Sequence, residues 1–187
     1  MKIGEYLYFA PGLSFVDLDL SATALPGQYI RRIEGFYLEP AEVLAQRGHG
    51  FGAGVLLLCA IDALGKVEFP ASGVGERFKQ YSRERLASFS NADYARQLYE
   101  AFRCGVVHEA RAKDGAEISL ESGNTVEPVP GGIQVNPAGL LLEVRGALHT
   151  QMQEIEGDDG RAVAFKDYIT EQFSEELAGI IPISLAP

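Results

Sequence analysis

A mainly α-helical bundle with small β-hairpin additions is the fold class this sequence predicts, and three observations predict it. Apolar residues recur three and four positions apart through most of the chain from residue 28 onward. No alternation of strand and helix of the βαβ kind interrupts them. Extended, alternating runs are short and gather around Pro11-Gly12 and Pro130-Gly131-Gly132. The 187 residues are 47% hydrophobic and 22% charged, which is ordinary globular usage and excludes general disorder. A chain of this length buries roughly 70% of its unfolded surface, so no disulfide or metal is needed to hold it together.

The elements follow in order. Residues 3–9 and 13–18 are rich in Tyr, Phe, Val and Leu around Pro11-Gly12 and read as a hairpin, followed by a loop through Ala24–Gly27. From Gln28 the spacing turns helical through Ile30, Ile33 and Tyr37. Pro40 then interrupts and restarts a helix at its first turn. That second helix is expected from about Ala41 to Ala63, with Gly65 as its stop, and its middle, Val55 to Ile61, is apolar all round. Val74, Phe78, Tyr81 and Leu86 mark a helix over about 74–86. Ser90 or Asn91 caps the next, which carries Tyr94, Leu98, Phe102 and Val106 to about Glu109. Residues 117–120 alternate, Pro130–Gly132 turns and Ile133–Val135 extends, predicting a hairpin within 117–135. Asn136-Pro137 is an N-cap with proline in the first turn, opening a helix to about Glu154. A last helix carries Phe165, Ile169, Phe173 and Leu177 to Gly179, and residues 180–187 read as an extended arm. The expected core is Val55, Leu58, Ile61, Phe78, Leu98, Phe102, Leu141, Leu148 and Phe173. The expected organisation is an N-terminal extended segment, 1–27, and a helical domain, 28–187.

Charge and cysteine usage exclude several function classes. The net charge of −10 argues against nonspecific coating of nucleic acid, which rests on phosphate neutralisation. Residues 76–113 reverse that balance, with eight basic residues against five acidic ones. Two cysteines, Cys59 and Cys104, make no disulfide framework and no CxxC pair. The N-terminus lacks the basic-then-apolar layout of a signal peptide. The uncharged run from Gly48 to Ile61 is shorter than the ~18 residues that read as a membrane span. A cytoplasmic protein without membrane contact is the expectation.

Gly48-His49-Gly50-Phe51-Gly52-Ala53-Gly54 looks like a nucleotide loop. A dinucleotide fingerprint must follow a strand, however, and the residues before it are helical, so close packing is the better explanation. His49 and His149 have no metal-ligand spacing, and neither metal nor cofactor is called for. The informative segment runs from Leu98 to Glu109. Arg103 and His108 form Arg-x4-His: a permanent planar cation suited to phosphate, and a side chain that exchanges protons near neutrality. Together they suffice for RNA cleavage in which the ribose 2′-hydroxyl attacks its own phosphate. Arg103 would stabilise the phosphorane and His108 would act as acid or base. Arg77, Arg96 and Arg111 are the candidate substrate-binding cations. On a regular helix Arg103 and His108 lie about 140° apart. Convergence therefore needs a bend near Gly105, a folded-back arginine, or a second subunit. A rival reading takes Glu100, Cys104 and His108, at i, i+4 and i+8, as one stripe with Cys104 as a nucleophile.

At Arg103 and His108 the sequence resembles the HEPN superfamily (higher eukaryotes and prokaryotes nucleotide-binding domains), over about Ala41 to Glu109. Its signature is Arg-x4–6-His with a polar residue after the arginine, where this chain has Cys104. The resemblance implies a helical bundle, a metal-independent endoribonuclease or RNA-binding relative of toxin or defence type, and a composite cleft in a homodimer. It also implies RNA as substrate and an antitoxin-type protein partner. Tyr99, Phe102 and Val106 would supply dimer surface around an axis beside Gly105. The alternative function class is a non-catalytic helical module for dimerisation or partner binding.

Overall fold

The computed structural model describes residues 2–3, 6–109 and 111–179, without the side chains of Lys2, Ile3, Tyr6, Val107 and His108. The arm expected over 180–187 lies outside the described residues. The chain is mainly α with small β additions, and it divides into two compact units, Met1–Phe36 with His149–Pro187, and Tyr37–Leu148.

In the first unit, β1 (Lys2–Ile3), β2 (Tyr6–Ala10) and β3 (Leu13–Ser14) form an antiparallel sheet in that order. Gly12 takes φ 66° in the turn, a left-handed conformation that glycine adopts without steric cost. Helix α1 (Leu25–Ile33) begins inside the segment expected to be a loop, because Pro26 falls in its first turn, where a missing N–H costs nothing. The rings of Phe9, Phe15 and Phe173 meet at 5.5–5.6 Å, and Tyr29 meets Phe165 at 5.4 Å. Helix α8 (Asp159–Gln172) is capped by Asp158, whose carboxylate accepts from Arg161 N–H at 2.9 Å, and α9 (Ser174–Ala178) follows. Before them runs α7 (Pro137–Glu156), whose C-terminal part belongs to this unit.

Pro40 does not break the chain's helical course. A π-helical turn, Glu34–Leu38, leads directly into α2 (Glu39–Gln46), and the proline sits in the first turn of α2. The single helix expected over 41–63 is two helices. Gly48, at φ 81°, turns the chain after α2, and α3 (Gly50–Glu68) then runs through Gly65 instead of stopping there. A Cβ on Gly65 would lie 3.2 Å from the carbonyl oxygen of Arg77 on α4 (Val74–Arg85), so this glycine permits close helix packing rather than termination. α3 meets the length and composition of a membrane span, with a mean hydropathy of 1.7, but half of that window is buried inside the protein, as in a core helix.

After a 3₁₀ turn at Ala87–Phe89 come α5 (Ala92–Gln97), a π-helical stretch Leu98–Cys104, and α6 (Gly105–Glu109). Asn91 caps α5 by accepting from Asp93 N–H at 2.8 Å. The hairpin expected within 117–135 has a different first strand. β5 (Val126–Val129) pairs antiparallel with β6 (Gly132–Val135) across Pro130-Gly131, while β4 (Glu117–Ile118) joins the other edge of β6 in parallel. Pro128 argues against a strand in the sequence, yet β5 is an edge strand, where a missing N–H is tolerated. Asn136 then caps α7, accepting from Ala138 N–H at 2.9 Å.

Of the expected core, Leu58, Ile61, Phe78, Leu98, Phe102, Leu141 and Leu148 are buried, while Val55 and Phe173 are half-buried. On α3 the reason is geometric. Leu57, Leu58, Ile61 and Leu64 face the core, whereas Val55, Cys59 and Asp62, spaced four and three apart, form a half-exposed stripe.

Candidate functional site

Asp62 on that stripe meets Arg103. The guanidinium Nε donates to Asp62 Oδ2 at 2.9 Å and one Nη lies 2.9 Å from the same oxygen, joining positions 41 residues apart, with side chains 20% and 21% exposed. Asp62 Oδ1 is buried and has no hydrogen-bond partner. The Arg103 guanidinium also lies 5.9 Å from the ring of Tyr99, which packs on Phe78 at 5.5 Å. Tyr99 reaches this position because Gly75 on α4 leaves room: a Cβ there would come within 3.0 Å of the ring.

The π-helical stretch sets which side chains share a face. Its i→i+5 bonding widens the turn and shifts the side chains from their α-helical phase, and the Tyr99 phenol feels the Cys104 thiol. Of the stripe expected from Glu100, Cys104 and His108 on a regular α-helix, Glu100 accepts from Arg96 at 2.7 Å. The 140° separation of Arg103 and His108 likewise assumed a regular helix, whereas the step between them crosses from π to α geometry at Gly105. The side chain of His108 lies outside the described residues.

Electrostatics around Arg103 are mutual. Burial works against its charge, but the hydrogen bond and charge of Asp62, with smaller contributions from Tyr99 and Cys104, raise its pKa overall. Burial pushes the Tyr99 phenol up, as do the neighbouring Cys104 thiol and the Asp62 charge, against Arg103. Burial also pushes the Cys59 thiol up, helped by Asp62 and opposed by Arg103. Cys59 and Cys104 are both free.

The other predicted cations lie apart from Arg103 in differing surroundings. Arg96 holds Asp93 at 2.6 Å and Glu100 at 2.7 Å, and lines a recess of about 220 Å³ with Asp114 and Gly131. Arg111 is exposed and lies 3.3 Å from Glu109, which Lys113 also contacts. Arg77 on α4 is half-buried, and its Nε is buried without a partner.

Gly105 serves an intrachain contact. The backbone at 111–113 doubles back over it, with Arg111 N–H donating to Gly105 O at 3.3 Å and Lys113 N–H to Ala101 O at 3.1 Å. A Cβ on Gly105 would lie 2.5 Å from Arg111 O. Phe102 and Val106 are buried within the chain. The close approach at this glycine and the apolar side chains of Phe102 and Val106 are thus used within the chain.

The glycine-rich segment packs as expected of small residues. Cβ atoms on Gly50, Gly52 and Gly54 would meet Leu120, Leu44 and Ile118 at 3.1–3.4 Å. A cleft of about 630 Å³ opens beside it, lined by Phe51, Ala112, Ile118, Leu120 and neighbouring polar residues, and none of the predicted arginines reaches it. His49 is exposed, and His149 lies 3.5 Å from Glu34. Among the described residues no three His, Cys, Asp or Glu side chains gather as a metal site would require.

No protein-family model, curated protein or solved structure matches the chain.

Sequence reasoning missed Asp62 and Tyr99. A signal for Asp62 was present: it is the one carboxylate between Gly48 and Glu68, in a run otherwise fit for a core. Its partner was not readable, because that depends on which face of α3 meets the π-helical stretch.

Proposed function

We propose that the chain is a metal-independent endoribonuclease of the HEPN-like, Arg-x4-His type, acting in the cytosol on RNA. The observation that carries this reading is the anchoring of Arg103. A hydrogen bond and ion pair to Asp62, with the Tyr99 ring beside it, hold its guanidinium partly exposed on an irregular helix. Such π-helical departures recur at functional sites. In this reaction the ribose 2′-oxygen attacks the adjacent phosphorus and the bond to the 5′-oxygen breaks. The products are a 2′,3′-cyclic phosphate and a 5′-hydroxyl. Arg103 stabilises the doubly charged phosphorane, and His108 transfers a proton to or from the reacting oxygens. Arg77, Arg96 and Arg111 are the candidate contacts to flanking phosphates. A second copy of the chain and an antitoxin-type protein are the partners that the resemblance implies.

A non-catalytic interaction module is the second reading. The pairing of Arg96, Arg103 and Arg111 with carboxylates favours it, because a neutralised cation contributes less to phosphate binding. The two readings separate in one assay. The protein is incubated with mixed cellular RNA in EDTA, beside H108A and R103A, and its mass is followed by light scattering. Wild-type cleavage leaving cyclic phosphate ends, lost in both variants, is the expected result. Cleavage that survives either substitution, or none by the native protein over varied RNAs, overturns the nuclease reading.

A further inference from the structure

We propose that Asp62 is a positioning residue for Arg103, fixing the guanidinium toward an RNA phosphodiester. This inference rests on the ribonuclease reading above and adds to it a residue on a different helix, outside the Arg-x4-His motif. The geometry separates the contact from an ordinary cross-link. Arg103 turns both Nε and one Nη toward a single oxygen, Oδ2, with a hydrogen bond from Nε, and leaves Oδ1 buried and unpartnered. A pair serving stability alone gains most from a fork-to-fork arrangement that satisfies both oxygens. An unmatched buried oxygen carries a desolvation cost, and such costs persist where neighbouring structure or function demands the geometry.

The same helix supplies a matched comparison. Near the end of α3, Glu68 meets Arg85 of α4 at 2.6 Å, with side chains 13% and 17% exposed. That pair is buried at least as deeply as Asp62–Arg103 and also ties α3 to another helix, but it lies outside the motif. Loss of either pair removes one half-buried ion pair from α3. Only loss of Asp62 releases the guanidinium proposed to face the phosphate.

Three variants, D62N, D62E and E68Q, are compared with wild type on a single-stranded RNA oligonucleotide and on its fully 2′-O-methylated, uncleavable form. Melting temperatures are measured in parallel. D62N keeps the shape of the side chain and loses its charge, so kcat is expected to fall about tenfold. D62E displaces the guanidinium by roughly one methylene, and a misplacement of about 1 Å costs on the order of 100-fold. KM should change little in both, and E68Q should lower the melting temperature without lowering kcat. A D62N protein that behaves like E68Q, destabilised with unchanged kcat, overturns the inference while leaving the nuclease reading intact. A D62N protein that cleaves faster or binds the methylated RNA more tightly also overturns it, since Asp62 would then be neutralising Arg103. If wild type binds the methylated RNA without cleaving its parent, the nuclease reading falls. Asp62 is then judged by binding alone, with about tenfold weaker affinity in D62N, but not E68Q, supporting it and equal affinity refuting it. Absence of both binding and cleavage overturns the reading and the inference together.

Discussion

Gly105→Ala should destabilise the protein even though the substitution lies in a helix, where it ordinarily helps. Gly105 has helical dihedrals, so alanine gains about 0.5–1 kcal/mol from reduced chain entropy. Against this, the new Cβ would sit 2.5 Å from Arg111 O and 3.0 Å from Lys113 Cγ. The first contact is with backbone, so the 111–113 segment must retreat by about 1 Å to restore ordinary van der Waals separation. That retreat weakens the two hydrogen bonds from Arg111 and Lys113, each worth about 1 kcal/mol, and adds an overpacking cost of about 1–3 kcal/mol. The net loss is about 2 kcal/mol, or roughly 4–8 °C in melting temperature for a chain of this size. Gly146→Ala on α7 is the matched control. Nothing lies within 4 Å of its Cβ position, so the same substitution should stabilise by about 0.5–1 kcal/mol. Thermal melting followed by far-ultraviolet circular dichroism measures both, and amide exchange at Lys113 reports the local release. A G105A protein that melts at or above wild type would refute the reasoning.

Three further outcomes are expected. Arg32 lies 4.7–5.4 Å from the rings of Phe9, Phe36 and Phe173 and donates to Phe9 O; R32A should cost about 1–3 kcal/mol in urea unfolding, and R32K should recover only part of it. Hydrogen bonds from Arg96 and Gln97 hold Asp93 below its ordinary 3.8, so its contribution is present above that value and lost as pH falls through the depressed one. The acid limb of the stability profile should therefore flatten in D93N, and an unchanged limb would count against the pairing. Burial first, then Asp62, keeps the Cys59 thiol protonated, so alkylation at mildly alkaline pH should be slow and should accelerate in D62N; equal rates would remove Asp62 as a cause.

Local physics is what the sequence determined by itself. Helical spacing, the Asn91 and Asn136 caps and the turns at Gly12 and Gly131 depend on neighbours within a few residues, and the mainly α class follows from them. Most of the core was legible for the same reason, since burial of Leu58, Ile61, Phe78, Leu98 and Phe102 follows from periodicity. Tertiary structure alone decided what depends on an approach from elsewhere in the chain. Gly65 and Gly105 have the same composition signal as a helix stop or a dimer contact, and only the position of Arg77 O and Arg111 O shows that each admits another backbone. The π-helical widening over Leu98–Cys104 shifts the side-chain phase by one residue per turn, which spacing on a regular helix cannot foresee. Arg103 was visible as a candidate cation, but its partner was fixed only when the half-exposed stripe of α3 brought Asp62 within 2.9 Å.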